Sequence, residues 1–292
     1  MPAGLSEADA ARVRAGHPIW PRLINLKYGE DKETRLSWAA RKGKLSRVRE
    51  LCDWRAGIEV ADEDGRTPLY DASLEGHLEV VRELLTRGAN VEATPTGGWT
   101  SLLIASQKGR LDVVRELLAR GANIEAADRF SRTSLIIASQ NGHVDVAREL
   151  IVRGANMEAA TIAGATSLLI ASQMGNLVVV RELLARGASI EAAHNLTWTS
   201  LIFASQNGHV DVVRELLARG ANIEAVNYNG VTPLIMASDN GHVDVVRALL
   251  AAGANRHHVD NDGDTAASCA GRVYGVKPAD KAAVLALLAA AP

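Results

Sequence analysis

A chain of 292 residues, 47% hydrophobic and 23% charged, has the make-up of an ordinary folded protein rather than a disordered or fibrous one. Lys and Arg number 32 against 34 Asp and Glu, for a net charge of -2, which argues against a general nucleic-acid binder or a polybasic membrane anchor. The first 20 residues hold Glu7, Asp9, Arg12 and Arg14 and no apolar core, and the tail AAVLALLAAAP is too short for the ~20 residues that cross a bilayer. A cytoplasmic setting is expected.

Residues 1–28 form an extension. Ser6 and Asp9 suit the start of a short helix to about Gly16, and Pro18 and Pro21 forbid its continuation. Ile19, Trp20, Leu23, Ile24 and Leu26 are too apolar for a free tail and are expected to cover the open end of a stack of repeated units. The alternative is a short docking segment for a partner.

From there one phrase recurs. Its clearest copy is TSLIFASQNGHVDVVRELLARGANIEA, from Thr199 to Ala225. Copies start at Thr67, Thr100, Thr133, Thr166, Thr199 and Thr232, each 33 residues after the last. Residues 29–61 hold a degenerate first copy, in which Lys42 and Lys44 appear and RGAN becomes Arg55-Ala56-Gly57-Ile58. Residues 62–259 hold six regular units, and 260–292 a last altered one with five extra residues before its final helix. Altered, polar end units are what a stack requires, because one face of each end unit has no neighbour.

Within a unit, Thr67 is placed to cap a short first helix and Pro68 to begin it. Gly76 ends that helix. A second helix runs from near His77 to Gly88, with Leu78, Val81, Leu84 and Leu85 as its apolar stripe. Glu83 and Arg87, copied as Glu116–Arg120, Glu149–Arg153, Glu182–Arg186 and Glu215–Arg219, read as a solvated outer face. Both helices fall short of the ~12–15 residues at which isolated helices become even marginal, so they must stack. Ala105 and Ser106 and their copies allow close approach. The stretch from Gly88 to Thr100 lacks helical periodicity and reads as an extended finger with a tight turn.

TPLYDASLEGHLEVVRELLTRGANVEA resembles the ankyrin repeat, and the resemblance covers roughly residues 30–290. It implies an all-α repeat solenoid of about eight units, built of stacked helix-turn-helix pairs with β-hairpin fingers. It also implies a protein-binding role on the concave face of fingers and first helices. The family's TPLH histidine is replaced by Tyr70, Leu103, Ile136, Leu169, Ile202 and Ile235 in successive units. Apolar packing is therefore expected in place of the family's polar tie.

No G-x-S-x-G, H-E-x-x-H or phosphate-cradling glycine loop is present, and no enzyme, cofactor or metal site is expected. His77, His143, His209 and His242 share one repeated position, one stacking distance apart, and so cannot share a metal. His257-His258 beside Asp260, Asp262 and Asp264 resembles a calcium loop, but its glycine comes too early and position twelve is Gly271. Cys52 and Cys269 lie in the first and last units, farther apart than the ~7 Å a disulfide spans. Both are expected as small buried residues.

Function is expected where the residues vary while the frame is fixed. Finger positions carry Trp99, Arg129, Phe130, Arg132, Ile162, Leu196, Trp198 and Tyr228, side chains of the kind that anchor interfaces. Packing of finger against finger is the competing explanation. At the ends of the first helices, Gln107 and Lys108, Gln140 and Asn141, Gln173 and Met174, and Gln206 and Asn207 would line the same groove. The expected partner of this scaffold is another protein with an apolar or aromatic segment, and Arg129 and Arg132 favour an acidic flank. The chain is expected to be a monomer. A spacer or elastic element with an inert concave face is the alternative.

Overall fold

Each unit opens on a threonine whose backbone is extended and whose hydroxyl accepts the amide of the third residue on. Thr34, Thr67, Thr100, Thr133, Thr166, Thr199, Thr232 and Thr265 all do so. That bond satisfies one of the orphan donors of a helix start, and it fixes the phase of every unit. The computed structural model describes residues 25, 27–28, 33–95, 97–273 and 275–290. The expectation that residues 1–28 cover the stack falls almost wholly outside them. Asn25 is described, and its Oδ1 accepts the Gly57 amide at 2.7 Å.

The chain divides into two bodies, Met1–Arg129 and Phe130–Pro292. In the first, β1 (Lys27–Tyr28) pairs antiparallel with β2 (Glu33–Thr34). Three helix pairs come next: α1 (Arg35–Arg41) and α2 (Leu45–Asp53), α3 (Pro68–Glu75) and α4 (Leu78–Thr86), α5 (Ser101–Gln107) and α6 (Leu111–Ala119). The second body holds α7 (Ser134–Asn141) and α8 (Val144–Val152), α9 (Ser167–Gln173) and α10 (Leu177–Ala185), α11 (Ser200–Gln206) and α12 (Val210–Ala218). It closes with α13 (Pro233–Asp239) and α14 (Val243–Ala251), then α15 (Ala266–Cys269) and α16 (Pro278–Ala289). In each body, first helices pack on first helices, second on second, and each first helix on its own second. Each body is thus an all-α repeat stack.

The core lies between these two layers. The first helices bury nearly everything: Leu201, Ile202, Ala204 and Ser205 are at most 1% exposed. Leu103, Ile136, Leu169, Ile202 and Ile235 fill the position of the family's histidine as buried apolar groups. The stripe on the second helices differs from the expected one. Val80, Val81 and Leu84, with their copies, are buried, whereas Leu78 and Leu85 are half-buried. A second helix is covered by its own first helix and by second helices alongside, so the buried face is wider than one row and shifted onto Val80.

Polar ties between units are as regular as the core. His209 Nε2 meets the Gln173 carbonyl at 3.0 Å, and His242 Nε2 the Gln206 carbonyl at 2.8 Å. Asn176 makes the same tie with its amide. The His209 ring lies over Gly175, where a Cβ would stand 2.6 Å from it. Glu92, Glu158, Glu191 and Glu224 each accept the amide of the residue 31 positions on, at 2.7–2.8 Å. On the second helices, Glu83 accepts from Arg87 of its own helix at 2.9 Å and also from Arg49, 34 residues earlier, at 2.9 Å. On this solvated outer face the same charges also form a ladder between units. Hydrogen bonding from Arg181 holds the Glu215 carboxyl below its ordinary range.

Both thiols are free; Cys269 is buried, as expected, whereas Cys52 is half-buried. Cys52 holds the place that Leu85 takes one unit later, at the edge of the second helix's covered face. Burial raises the pKa of each thiol, which keeps them protonated and unreactive. Among the described residues no helix is long and apolar enough to cross a membrane.

Candidate functional site

The fingers are made by a short side chain at their base. Asp62, Asn227 and Asp260 each donate a backbone amide to the carbonyl four residues on, and accept that residue's amide on the side chain. Thr161 does so with its hydroxyl toward Ala165. This closes a tight turn with little strand structure. Isolated bridges at Ala160–Thr166 and Ala193–Thr199 are its ladder.

Neighbouring fingers are joined through the main chain. In the first body the Arg129 amide donates to the Gly97 carbonyl at 3.3 Å. In the second, Ile162 donates to Phe130, Asn195 to Ala163, Tyr228 to Leu196 and Asn261 to Asn229, all at 3.0–3.2 Å. Asn195 and Asn261 add side-chain bonds to the Ile162 and Tyr228 carbonyls. With the backbone engaged, the variable side chains are left outside. Ile162 is 66% exposed, Tyr228 65%, Leu196 49% and Phe130 42%. The Arg132 guanidinium sits 5.4 Å from the Phe130 ring centroid, a cation–π contact.

The two tryptophans differ from these. Trp198 is half-buried and packs on Phe203 of α11, with centroids 5.0 Å apart and planes inclined by 37°. His194 meets the same Phe203 edge-on at 6.1 Å. Around them lies a largely apolar cavity of about 380 Å³, lined by Thr161, Ala163, Ala165, Ile170, Gln173, His194, Leu196, Trp198, Phe203 and Gln206. Four of the expected residues, Gln173, Leu196, Trp198 and Gln206, come together there. Ile170, Phe203 and His194 are additions that the sequence reading does not single out. The first two share one repeated position, which reads Asp71, Ile104, Ile137, Ile170, Phe203 and Met236; its variation in an otherwise fixed helix is the signal that could have found them.

In the first body, Trp99 and Gln107 line a more polar cavity of about 310 Å³ with Asp64, Arg66, Tyr70, Pro95 and Ile104. Lys108 and Arg129 are exposed outside it. Gln140 is half-buried, and Asn141 and Met174 are exposed. Asn141 and Asn207 donate to the carbonyls of Ile137 and Phe203 at 2.8 and 2.9 Å, so each amide already serves its own helix end.

Asp71 stands apart. It is 3% exposed, and its carboxyl has no hydrogen-bond or ion-pair partner among the described residues. Burial, reinforced by Asp62 and Glu33 and opposed by Arg66 and Arg41, raises its pKa to about 7. Near the C-terminal end of the second body, Asp260, Asp264 and Cys269 lie close together, but both carboxylates already serve the turn and its neighbours. Asp260 accepts the amides of Asp262 and Asp264, Asp264 pairs with Arg272 at 2.8 Å, and His258 bonds to the Gly230 carbonyl.

No match was found among curated proteins. The family described as ankyrin repeats (3 copies) matches over residues 9–95, 36–128, 91–161, 135–227 and 201–277. Those overlapping spans run along the helix pairs and fingers of both bodies, and the chain belongs to the ankyrin-repeat family.

Proposed function

We propose that the chain is a non-enzymatic scaffold that binds another protein on the surface made by its fingers and first helices. Ankyrin repeats are in general protein–protein interaction modules. The observation that carries the reading is the apolar cavity between Trp198, Leu196, Phe203 and Ile170, with Gln173 and Gln206 in its wall and Ile162 exposed on the fingers. Half-buried aromatic anchors with hydrogen-bonding groups around them are the kind of side chains that concentrate binding energy once a partner covers them. The partner offers an apolar or aromatic segment to that cavity, and Arg132 of the same body favours an acidic flank, as Arg129 does on the first body. Trp99, Gln107 and Lys108 give the first body its own contact surface. The protein acts as a monomer in a reducing, cytoplasmic compartment, in keeping with its two free thiols. Residues 29–61 and 260–292 serve as end caps for the six regular units of 62–259.

Affinity capture with partner identification tests this. Ile162→Ser with Tyr228→Ser removes exposed apolar groups, so circular dichroism and the melting temperature stay unchanged while capture of the partner falls. Trp198→Ala probes the cavity itself and loses both binding and some stability. Unchanged capture by all of these variants would favour the spacer reading, in which only deletion of whole repeats has an effect.

A further inference from the structure

The ladder on the second helices has a missing rung. Arg49, Arg82, Arg148 and Arg181 each donate to a glutamate 34 residues on, at 2.9, 2.9, 2.7 and 2.8 Å. Glu83, Glu116, Glu182 and Glu215 are in turn held by an arginine four residues later. The next arginine in the series is Arg214, and the residue 34 positions on is Ala248; four beyond that is Ala252. Both the acceptor and its supporting arginine are absent from this rung. Among the described residues Arg214 keeps only Asp211 of its own helix, at 3.4 Å, and Arg247 keeps only Asp244, at 3.9 Å. Each arginine is 62% exposed.

A cavity of about 380 Å³ occupies this place, lined by Arg214, Leu217, Arg247, Ala248, Ala251 and Ala252. Two guanidinium groups and an apolar floor share it, and no carboxylate is among its lining residues. It shares no residue with the finger cavity.

We infer that this cavity takes a glutamate side chain from an acidic segment of a partner protein, whose carboxylate stands where a residue-248 carboxylate would complete the ladder. The filled rungs show what an arginine in this register accepts as partner: a carboxylate on Nε or Nη at 2.7–2.9 Å. The fork geometry of arginine suits that group. The alanine floor receives the methylenes of glutamate.

The test is titration of the full chain, followed through arginine Nε–H resonances, with a capped pentapeptide containing two glutamates and a leucine. The Arg214 and Arg247 signals are expected to move, and the same peptide with glutamines to bind about ten-fold more weakly or worse, the loss of a charge-assisted hydrogen bond. Ala248→Glu supplies the rung from within; it is expected to raise the melting temperature and abolish the peptide response. Trp198→Ala is expected to leave the response intact, which separates this surface from the finger cavity. The inference is overturned by silent Arg214 and Arg247 signals at millimolar peptide, by equal binding of the glutamine peptide, or by an undiminished response in Ala248→Glu. Equal shifts with inorganic phosphate would overturn it in favour of an adventitious ion only. Shifts that follow protein concentration without peptide would overturn it in favour of a second copy of the chain.

Discussion

Single residues in this chain depart from the repeat where a cost is visible. Asp71 occupies a position that is Ile, Phe or Met in the other regular units, and burial lifts its pKa from 3.8 to about 7. The folded state then binds more protons at this carboxyl than the unfolded state between those values, so the contribution of Asp71 to stability is fully present below about pH 3.8 and is lost as pH rises through about 7. Asp62 and Glu33 add to the effect, and Arg66 and Arg41 oppose it. Asp71→Asn is expected to raise stability at pH 8 by on the order of 2 kcal/mol, with little gain at pH 4, as read from urea midpoints at the two pH values. An equal gain at both would contradict the assignment. Thr197 adopts φ 59° in the finger turn, where other units place Gly164 and Gly230. A β-branched residue is strained in that region. Thr197→Gly is therefore expected to stabilise the fold by roughly 0.5–1 kcal/mol, seen as a small rise in melting temperature.

At the scale of the element, the helix pair is legible in the sequence and its connections are not. Thr67, Pro68 and Gly76 act within a few residues of themselves, so spacing alone reveals their caps and stops. His209, Glu92 and Arg181 act on partners 31 to 36 residues away, and no local pattern distinguishes such a tie from a solvated side chain. The burial of Val80 is hidden for the same reason, since a neighbouring helix covers it. The finger residues stand out as a variable set, but which of them share a cavity depends on Phe203 and Ile170 of the first helices. A double-mutant cycle on Gly175 and His209 tests one such tie. Gly175→Ala places a Cβ 2.6 Å from the imidazole at φ 74° and is expected to cost about 1–3 kcal/mol. His209→Ala removes the clash, so the double variant is expected to lose less than the sum of the two. Full additivity would mean that the ring and the turn do not meet.

At the scale of the molecule, stability is a sum of unit and neighbour terms. Truncating Leu216, which is 0% exposed, to alanine is expected to cost about 2–5 kcal/mol and to weaken units on both sides within the second body, as read from urea unfolding. The same fingers that join the units through their backbones leave Ile162, Leu196 and Tyr228 uncovered. That division of labour, main chain for cohesion and side chain for recognition, underlies the proposed function. Amide hydrogen exchange on the intact chain, resolved by residue, tests it most directly. The Ile162, Asn195 and Tyr228 amides, each bonded to the preceding finger, are expected to exchange far more slowly than free loop amides. Exchange of these three at the rate of an unstructured peptide would contradict it.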